Sequence, residues 1–336
     1  MRHGAPLWSR YDADTLREID EKGIPRNRPG TRFEKWRINS LGFRGDEIRP
    51  AKPPGLRRVV CLGQSESFGL YETADHEWPA QLGRLLRGRR PEVEVVNASV
   101  AGMGRLKRVS YVERYVLPLR PDVAVLTFNV FFEATAGSEG TASTTSPTWW
   151  RVFWDEGPRS RALAKARLRL RDAVPGALWR SLRLRRLTWR LREVEHARQG
   201  RPLDDLAADR LGGFAAHLRE MIELLRARGV APIVTTYPTL GSEANLARDV
   251  LEASEERMYV SEYSDLGLIR IASAMNDAAR RVAREMNVPL ADTEAAVPKS
   301  AKYFADYVHY TDDGAALVAR CVADALDRAH LLSPGD

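Results

Sequence analysis

An α/β fold built on a parallel sheet is the architecture this sequence predicts, and three patterns predict it. Five short, apolar, β-rich runs recur along the chain, helical stretches with apolar residues at 3.6-residue spacing lie between them, and Gly- or Asn-containing loops follow the first three runs. The first run is Arg58–Leu62, apolar almost throughout as a strand covered on both faces must be. The others are Val93–Val96, Val123–Phe128, Ala231–Thr236 and Val288–Leu290. Helices are expected over Trp78–Leu86, with Pro79 suited to a first turn, and over Phe214–Leu225, Ile269–Val288 and Asp313–Leu332. Strand–helix alternation with right-handed crossovers gives a three-layer α/β/α sandwich around five parallel strands in the flavodoxin-like order 2-1-3-4-5.

The length of 336 residues and 44% hydrophobic content suit one large domain with insertions. Residues 1–57, rich in Arg, Pro and Gly, read as an N-terminal arm. Residues 58–336 read as the main domain, interrupted at 137–205 by an Arg- and Trp-rich helical insertion. No apolar run approaches the roughly 18 residues of a membrane span, and Met1–Lys22 lacks the features of a signal peptide. The expectation is a soluble, cytoplasmic chain, or a fragment of an anchored or exported protein. Cys61 and Cys321 read as small core residues, without metal-ligand spacing.

The net charge of +7 is concentrated. Between Pro158 and Arg201, thirteen arginines and Lys165 face Asp172, Glu193 and Glu195, a local net of +11. Leu178, Trp179, Leu182, Leu187, Trp189 and Leu191 interleave with them and suggest a basic amphipathic helix. It could cover a site, lie against an anionic membrane, meet an acidic polymer, or be a plain surface helix. No nucleic-acid-binding module is present, and no nucleic-acid partner is expected.

In open parallel sheets, ligands bind beyond the carboxyl ends of the strands. Chemistry-bearing residues fall there in four separate loops. Ser65 follows strand one in Gly63-Gln64-Ser65-Glu66-Ser67, and Gly102 follows strand two. Asn129 follows strand three, while Asp306 and His309 follow strand five. A serine hydroxyl needs an adjacent base, which His309 can be, and the imidazole needs a carboxylate to hold its tautomer, which Asp306 can be. The N–H groups of Ser65 and Gly102 with the Asn129 amide make three donors for a tetrahedral oxyanion. Each has a plainer reading: Ser65 as a turn serine, His309 as a structural histidine, Asn129 as a turn cap, Gly102 as a backbone necessity. Asp75-His76-Glu77 reads as the capped start of the Trp78 helix. Glu66 and Glu133 read as solvated or supporting groups.

Taken in order, GQSESFG resembles the GDSxTxG block of SGNH (GDSL-type) hydrolases, NASVAGMG their glycine block, LTFN their GxND block and DYVHYTDDG their DxxH block. INSLGFRG is similar to a lead-in of bacterial members. The resemblance spans roughly residues 58 to 320. It implies the SGNH hydrolase fold, Ser65 as nucleophile, Ser65, Gly102 and Asn129 as the oxyanion hole, and Asp306 with His309 as orienter and base. It also implies carboxylic-ester hydrolysis, of short acyl groups such as acetyl, without cofactor or metal, on a small-molecule, saccharide or lipid ester. An O-acyltransferase with the same site, and a non-catalytic binding module on the same fold, are the alternatives. Gln64, Thr127 and Val130 depart from the Asp, Gly and Asp of the family blocks.

Overall fold

The computed structural model describes residues 16–33, 35–135, 176–198, 200–248, 251–258 and 260–332. Five parallel strands, β1 (Arg57–Leu62), β2 (Val93–Asn97), β3 (Val123–Leu126), β4 (Ala231–Thr235) and β5 (Leu290–Ala291), form one sheet in the order β2-β1-β3-β4-β5. This is the expected 2-1-3-4-5 topology. The described helices that matter below are α1 (Ser65–Phe68), α2 (Trp78–Arg89), α3 (Arg105–Tyr111), α4 (Val130–Thr135), α5 (Gly176–Ala197), α6 (Ala208–Ala227), α7 (Asp265–Glu285) and α8 (Asp312–Arg328).

Strand periodicity divides the core into two. Val60, Leu62, Ala124, Leu126 and Val234 point to one face, against Leu218, Ile222 and Leu225 of α6 and Ile271, Met275 and Val282 of α7. Val59, Cys61, Val123, Val125 and Ile233 point to the other, against Trp78, Leu82 and Leu86 of α2 and Val318, Val322 and Leu326 of α8. Each such buried aliphatic contributes about 1.5–3 kcal/mol relative to exposure. Cys61 is buried here and Cys321 is half-buried; both are free thiols.

Two strands end elsewhere than the apolar runs suggest. The ladder of β3 stops at Leu126, although the Thr127 N–H still donates to the Leu62 carbonyl at 2.8 Å. The last strand begins at Leu290 because Val288 N–H is taken by the Ala283 carbonyl of α7, across a left-handed Asn287 with φ 49°.

The N-terminal segment is more ordered than an Arg/Pro-rich composition suggests. Arg17–Ile19 pairs with Pro25–Asn27, and Arg32–Phe33 with Trp36–Arg37, both antiparallel. The segment is fastened to the loop after β2: Arg44 N–H donates to Asn97 O at 3.0 Å, Asn27 Nδ2 to Ser99 O at 3.0 Å and Arg17 Nη1 to Ala101 O at 2.8 Å. Of the 137–205 insertion, residues 137–175 lie outside the described residues. In α5, Leu187 and Leu191 are buried, whereas Trp189 is 54% exposed. Residue 189 is two positions from either leucine, about 200° around the helix, so the tryptophan cannot share their face. Among the described residues, no helix is long and apolar enough to cross a membrane.

Arg58 is the second residue of β1, and its side chain is wholly buried. Its guanidinium donates to Glu94 Oε2 (2.6 Å) and to the carbonyls of Leu119 (2.5 Å), Arg49 (2.7 Å) and Pro50 (3.3 Å), tying segments on both sides of the strand together. Replacing it removes the shared partner of a carboxylate and three carbonyls, the Leu119 bond among them being buried. Arg58→Met is expected to lose about 3–5 kcal/mol of unfolding free energy in urea titrations; a loss below about 1 kcal/mol would contradict this role.

Candidate active site

The turn after β1 is tight because it must be. A Cβ on Gly63 would lie 2.2 Å from Ser67 Oγ, so the chain can fold directly into α1 only with glycine there. Two serines follow, and their surroundings separate them. Ser67 is fully buried, its Oγ accepting from Trp78 Nε1 at 3.0 Å and donating to Glu66 Oε1 at 3.2 Å. Ser65 is half-buried at the first position of α1, where an N–H has no intrahelical acceptor. Only Ser65 combines access to solvent with an uncommitted hydroxyl.

Beyond β5, Asp306 and His309 are joined. Asp306 Oδ2 lies 2.7 Å from His309 Nδ1, while Oδ1 accepts the N–H groups of Val308 (2.9 Å) and His309 (2.8 Å). Those bonds fold the i to i+3 spacing into a closed turn. Ala305 N–H, donating to His309 O at 2.8 Å, and Thr311 Oγ1, donating to Lys302 O at 2.7 Å, brace it. Gly314 lets α8 start beneath the turn, since a Cβ there would sit 2.0 Å from the Tyr303 carbonyl. The carboxylate fixes the proton on Nδ1 and leaves Nε2 as the basic nitrogen. Nε2 has no hydrogen-bond partner, so Ser65 and His309 are not bonded to each other here. Such contacts commonly tighten only when substrate binds. The partly exposed Tyr71 ring stands 5.2 Å from the imidazole.

The loops after β2 and β3 supply the remaining groups. Gly102 has φ +73°, a conformation that favours glycine. Asn129 is buried; its Nδ2 donates to Tyr237 Oη at 2.7 Å and its Oδ1 accepts from Phe131 N–H at 3.0 Å. Gln64 spans both loops, its Oε1 accepting from Asn129 N–H at 3.2 Å and its Nε2 donating to Met103 O at 2.6 Å.

The chain also matches known proteins. The family model described as GDSL-like Lipase/Acylhydrolase matches residues 61–317. The chain belongs to this family. No curated protein matches. Solved structures that resemble it include a lipase/acylhydrolase from Enterococcus faecalis (16% identity, 82% of this chain and 97% of that one, TM-score 0.47). Another is a variant of Axe2, an acetyl-xylooligosaccharide esterase from Geobacillus (15%, 82% and 96%, TM-score 0.46). A third is a GDSL-like lipase from Parabacteroides merdae (11%, 82% and 96%, TM-score 0.47).

Buried carboxyls surround His309, and two of them, Glu72 and Glu256, are ones sequence reasoning missed. Glu66, read there as solvated or supporting, is 1% exposed; its Oε1 accepts Gln64 N–H at 2.9 Å and its Oε2 is unpartnered. Glu256, from the 3-10 helix Leu251–Met258, and Glu72, which follows Tyr71, are buried as well. Burial raises all three carboxyls, Glu72 and Glu256 to about 8, and the field of His309 opposes the rise in each. Burial alone would lower His309. The adjacent Asp306 carboxylate, with Glu66 and Glu256 behind it, outweighs that and lifts the ring to about 9. Asp306 stays below the ordinary range: burial would raise it, but the imidazolium and its two backbone donors prevail. No periodicity announces Glu72 or Glu256, because nonlocal packing delivers them.

Glu133, the other carboxyl read as solvated or supporting, is buried against Arg108 at 2.7 Å. Glu77 occupies the N-cap position of α2 without capping it by its side chain, which pairs instead with buried Arg44 at 3.3 Å.

A carboxyl lifted from 4.5 to about 8 keeps its proton in the folded state after the unfolded chain has released it. Folding is therefore disfavoured progressively as pH rises from about 4.5 to 8, and not at all below that window. Glu256→Gln is accordingly expected to raise Tm at pH 8 and leave it unchanged near pH 4, read by calorimetry. A gain at pH 4 as large as at pH 8 would contradict this.

Proposed function

We propose that this chain is a serine esterase that hydrolyses acyl esters through an acyl-serine intermediate. The observation that carries the reading is the Asp306–His309 pair, with a buried carboxylate on Nδ1 at 2.7 Å and Nε2 unpartnered. Ser65, accessible at the start of α1, is the hydroxyl assigned to that nitrogen.

Ser65 Oγ attacks the ester carbonyl carbon as its proton passes to His309 Nε2, and Asp306 stabilises the imidazolium. The carbonyl π pair moves onto oxygen, which the N–H groups of Ser65 and Gly102 and the Asn129 amide bind; one such donor is worth about 2.7–4 kcal/mol. Collapse breaks the C–O bond to the alcohol, which leaves with the proton from His309. Water, deprotonated by His309, then attacks the acyl carbon, the acyl–Oγ bond breaks, and His309 returns its proton to Ser65 Oγ as the acid leaves. No step needs a metal or cofactor. The substrates proposed are short acyl esters, such as acetyl esters, of a sugar, natural product or lipid.

Gln64 and Val130 are the departures from the family blocks that favour a non-catalytic module, and Gln64 is the one whose side chain bonds to the neighbouring loops. Its two hydrogen bonds to neighbouring loops support a site kept in working order instead.

With p-nitrophenyl acetate, Ser65→Ala and His309→Ala are each expected to lower kcat at least about 10³-fold, in line with triad residues elsewhere. Turnover by either variant within about tenfold of wild type would overturn the assignment. Because the base must be neutral and its pKa is about 9, roughly one ring in a hundred is competent at pH 7. The rate kcat/KM is therefore expected to climb about tenfold from pH 7 to 8 and about fivefold from pH 8 to 9, and to flatten above about pH 10. A plateau already reached at pH 7 would contradict it.

A further inference from the structure

We propose that Gln64 is a positioning residue that sets the oxyanion-binding geometry by locking the loop after β3 to the loop after β2. The inference rests on the esterase reading above and deepens it.

Gln64 is 1% exposed, and both ends of its carboxamide are used. Oε1 accepts the Asn129 backbone N–H at 3.2 Å, and Nε2 donates to the Met103 carbonyl at 2.6 Å. Met103 directly follows Gly102, so one side chain adjoining the nucleophile connects the two residues assigned to the oxyanion. The chemistry of the amide is specific to this task. An ionised carboxylate only accepts, and would set negative charge against the Met103 carbonyl oxygen. An aspartate, the residue of the family block, is also one methylene shorter. A glutamine here turns a position beside the nucleophile into a two-ended brace.

Asn129 is held from its other side too. Its Nδ2 donates to Tyr237 Oη, and Tyr237 is itself fixed by a reciprocal pair: Tyr237 N–H to Asn276 Oδ1 at 2.6 Å and Asn276 Nδ2 to Tyr237 O at 3.0 Å. With Phe131 N–H on Oδ1, the side chain has one orientation. An –NH2 group has two hydrogens; pinning one on Tyr237 determines where the other points. Gln64 fixes the backbone of Asn129 while Tyr237 fixes its amide. A preorganised donor needs no reorientation as charge develops on the carbonyl oxygen.

The test compares wild type with Gln64→Met, which keeps length but has no donor or acceptor, and Gln64→Glu, which keeps the acceptor alone when assayed above the pH at which its buried carboxyl ionises. Two readouts are taken: kcat and KM on p-nitrophenyl acetate, and exchange of the Asn129 backbone amide by NMR. For Gln64→Met, kcat is expected to fall about 10- to 100-fold with KM within about threefold, and the Asn129 amide to exchange at least about tenfold faster. Gln64→Glu is expected to retain amide protection and show an intermediate kcat, and it decides the matter if the methionine variant does not fold. Unchanged kcat in either folded variant would overturn the proposal, as would an Asn129 amide equally protected in Gln64→Met. If wild type neither turns over esters nor reacts with a fluorophosphonate, the esterase reading fails. The exchange measurement then judges the brace on its own: faster exchange upholds it and unchanged exchange removes it.

Discussion

The 2.7 Å contact between Asp306 Oδ2 and His309 Nδ1 is the interaction on which the chemical reading depends. It is cheap to form because it is local: Asp306 Oδ1 accepts the N–H groups of Val308 and His309, so backbone and side chain close the same turn. It is strong because it is buried, where a charge-assisted bond is not screened by water. Burial also has a cost, since a desolvated carboxylate without a partner would be heavily destabilising. The backbone donors and the imidazole together offset it. Remove the contact and His309 loses its tautomer, its elevated basicity and its orientation at once.

Around that pair the protein has gathered buried carboxyls. The chain carries a net charge of +7, yet Glu66, Glu72 and Glu256 all lie buried and within electrostatic reach of His309. Two effects compete at the ring: desolvation favours neutral imidazole, and the carboxylates favour imidazolium. The carboxylates win. Titration here is a property of the group, since Glu72 and Glu256 at about 8 and His309 at about 9 overlap and each proton influences the others. On the proposed mechanism, the same field stabilises the imidazolium that forms when Ser65 gives up its proton.

Much of this was legible in the chain itself. Two-residue alternation in Val59-Val60-Cys61-Leu62 sorts residues into the two cores, and strand–helix alternation gives the sheet order. The Asp306 to His309 spacing is short enough to be a local turn, so sequence carries its geometry almost directly. Other features depend on nonlocal packing. Glu256 reaches the site from a 3-10 segment between β4 and α7, and Tyr237 touches Asn129 across 108 residues. Gln64 reads in sequence as a departure in a block, and its bond to the Met103 carbonyl, 39 residues away, is visible only in the fold. Trp189 went the other way, because an apolar residue among leucines need not share their face.

The central claim is that Ser65 is a nucleophile activated by His309. Covalent labelling tests it most directly: intact protein is treated with a fluorophosphonate and the modified residue mapped by peptide mass spectrometry. The account predicts one adduct, on Ser65 and not on the buried Ser67, formed far more slowly when His309 is alanine. A label on Ser67, no label at all, or equal labelling rates with and without the imidazole would contradict it.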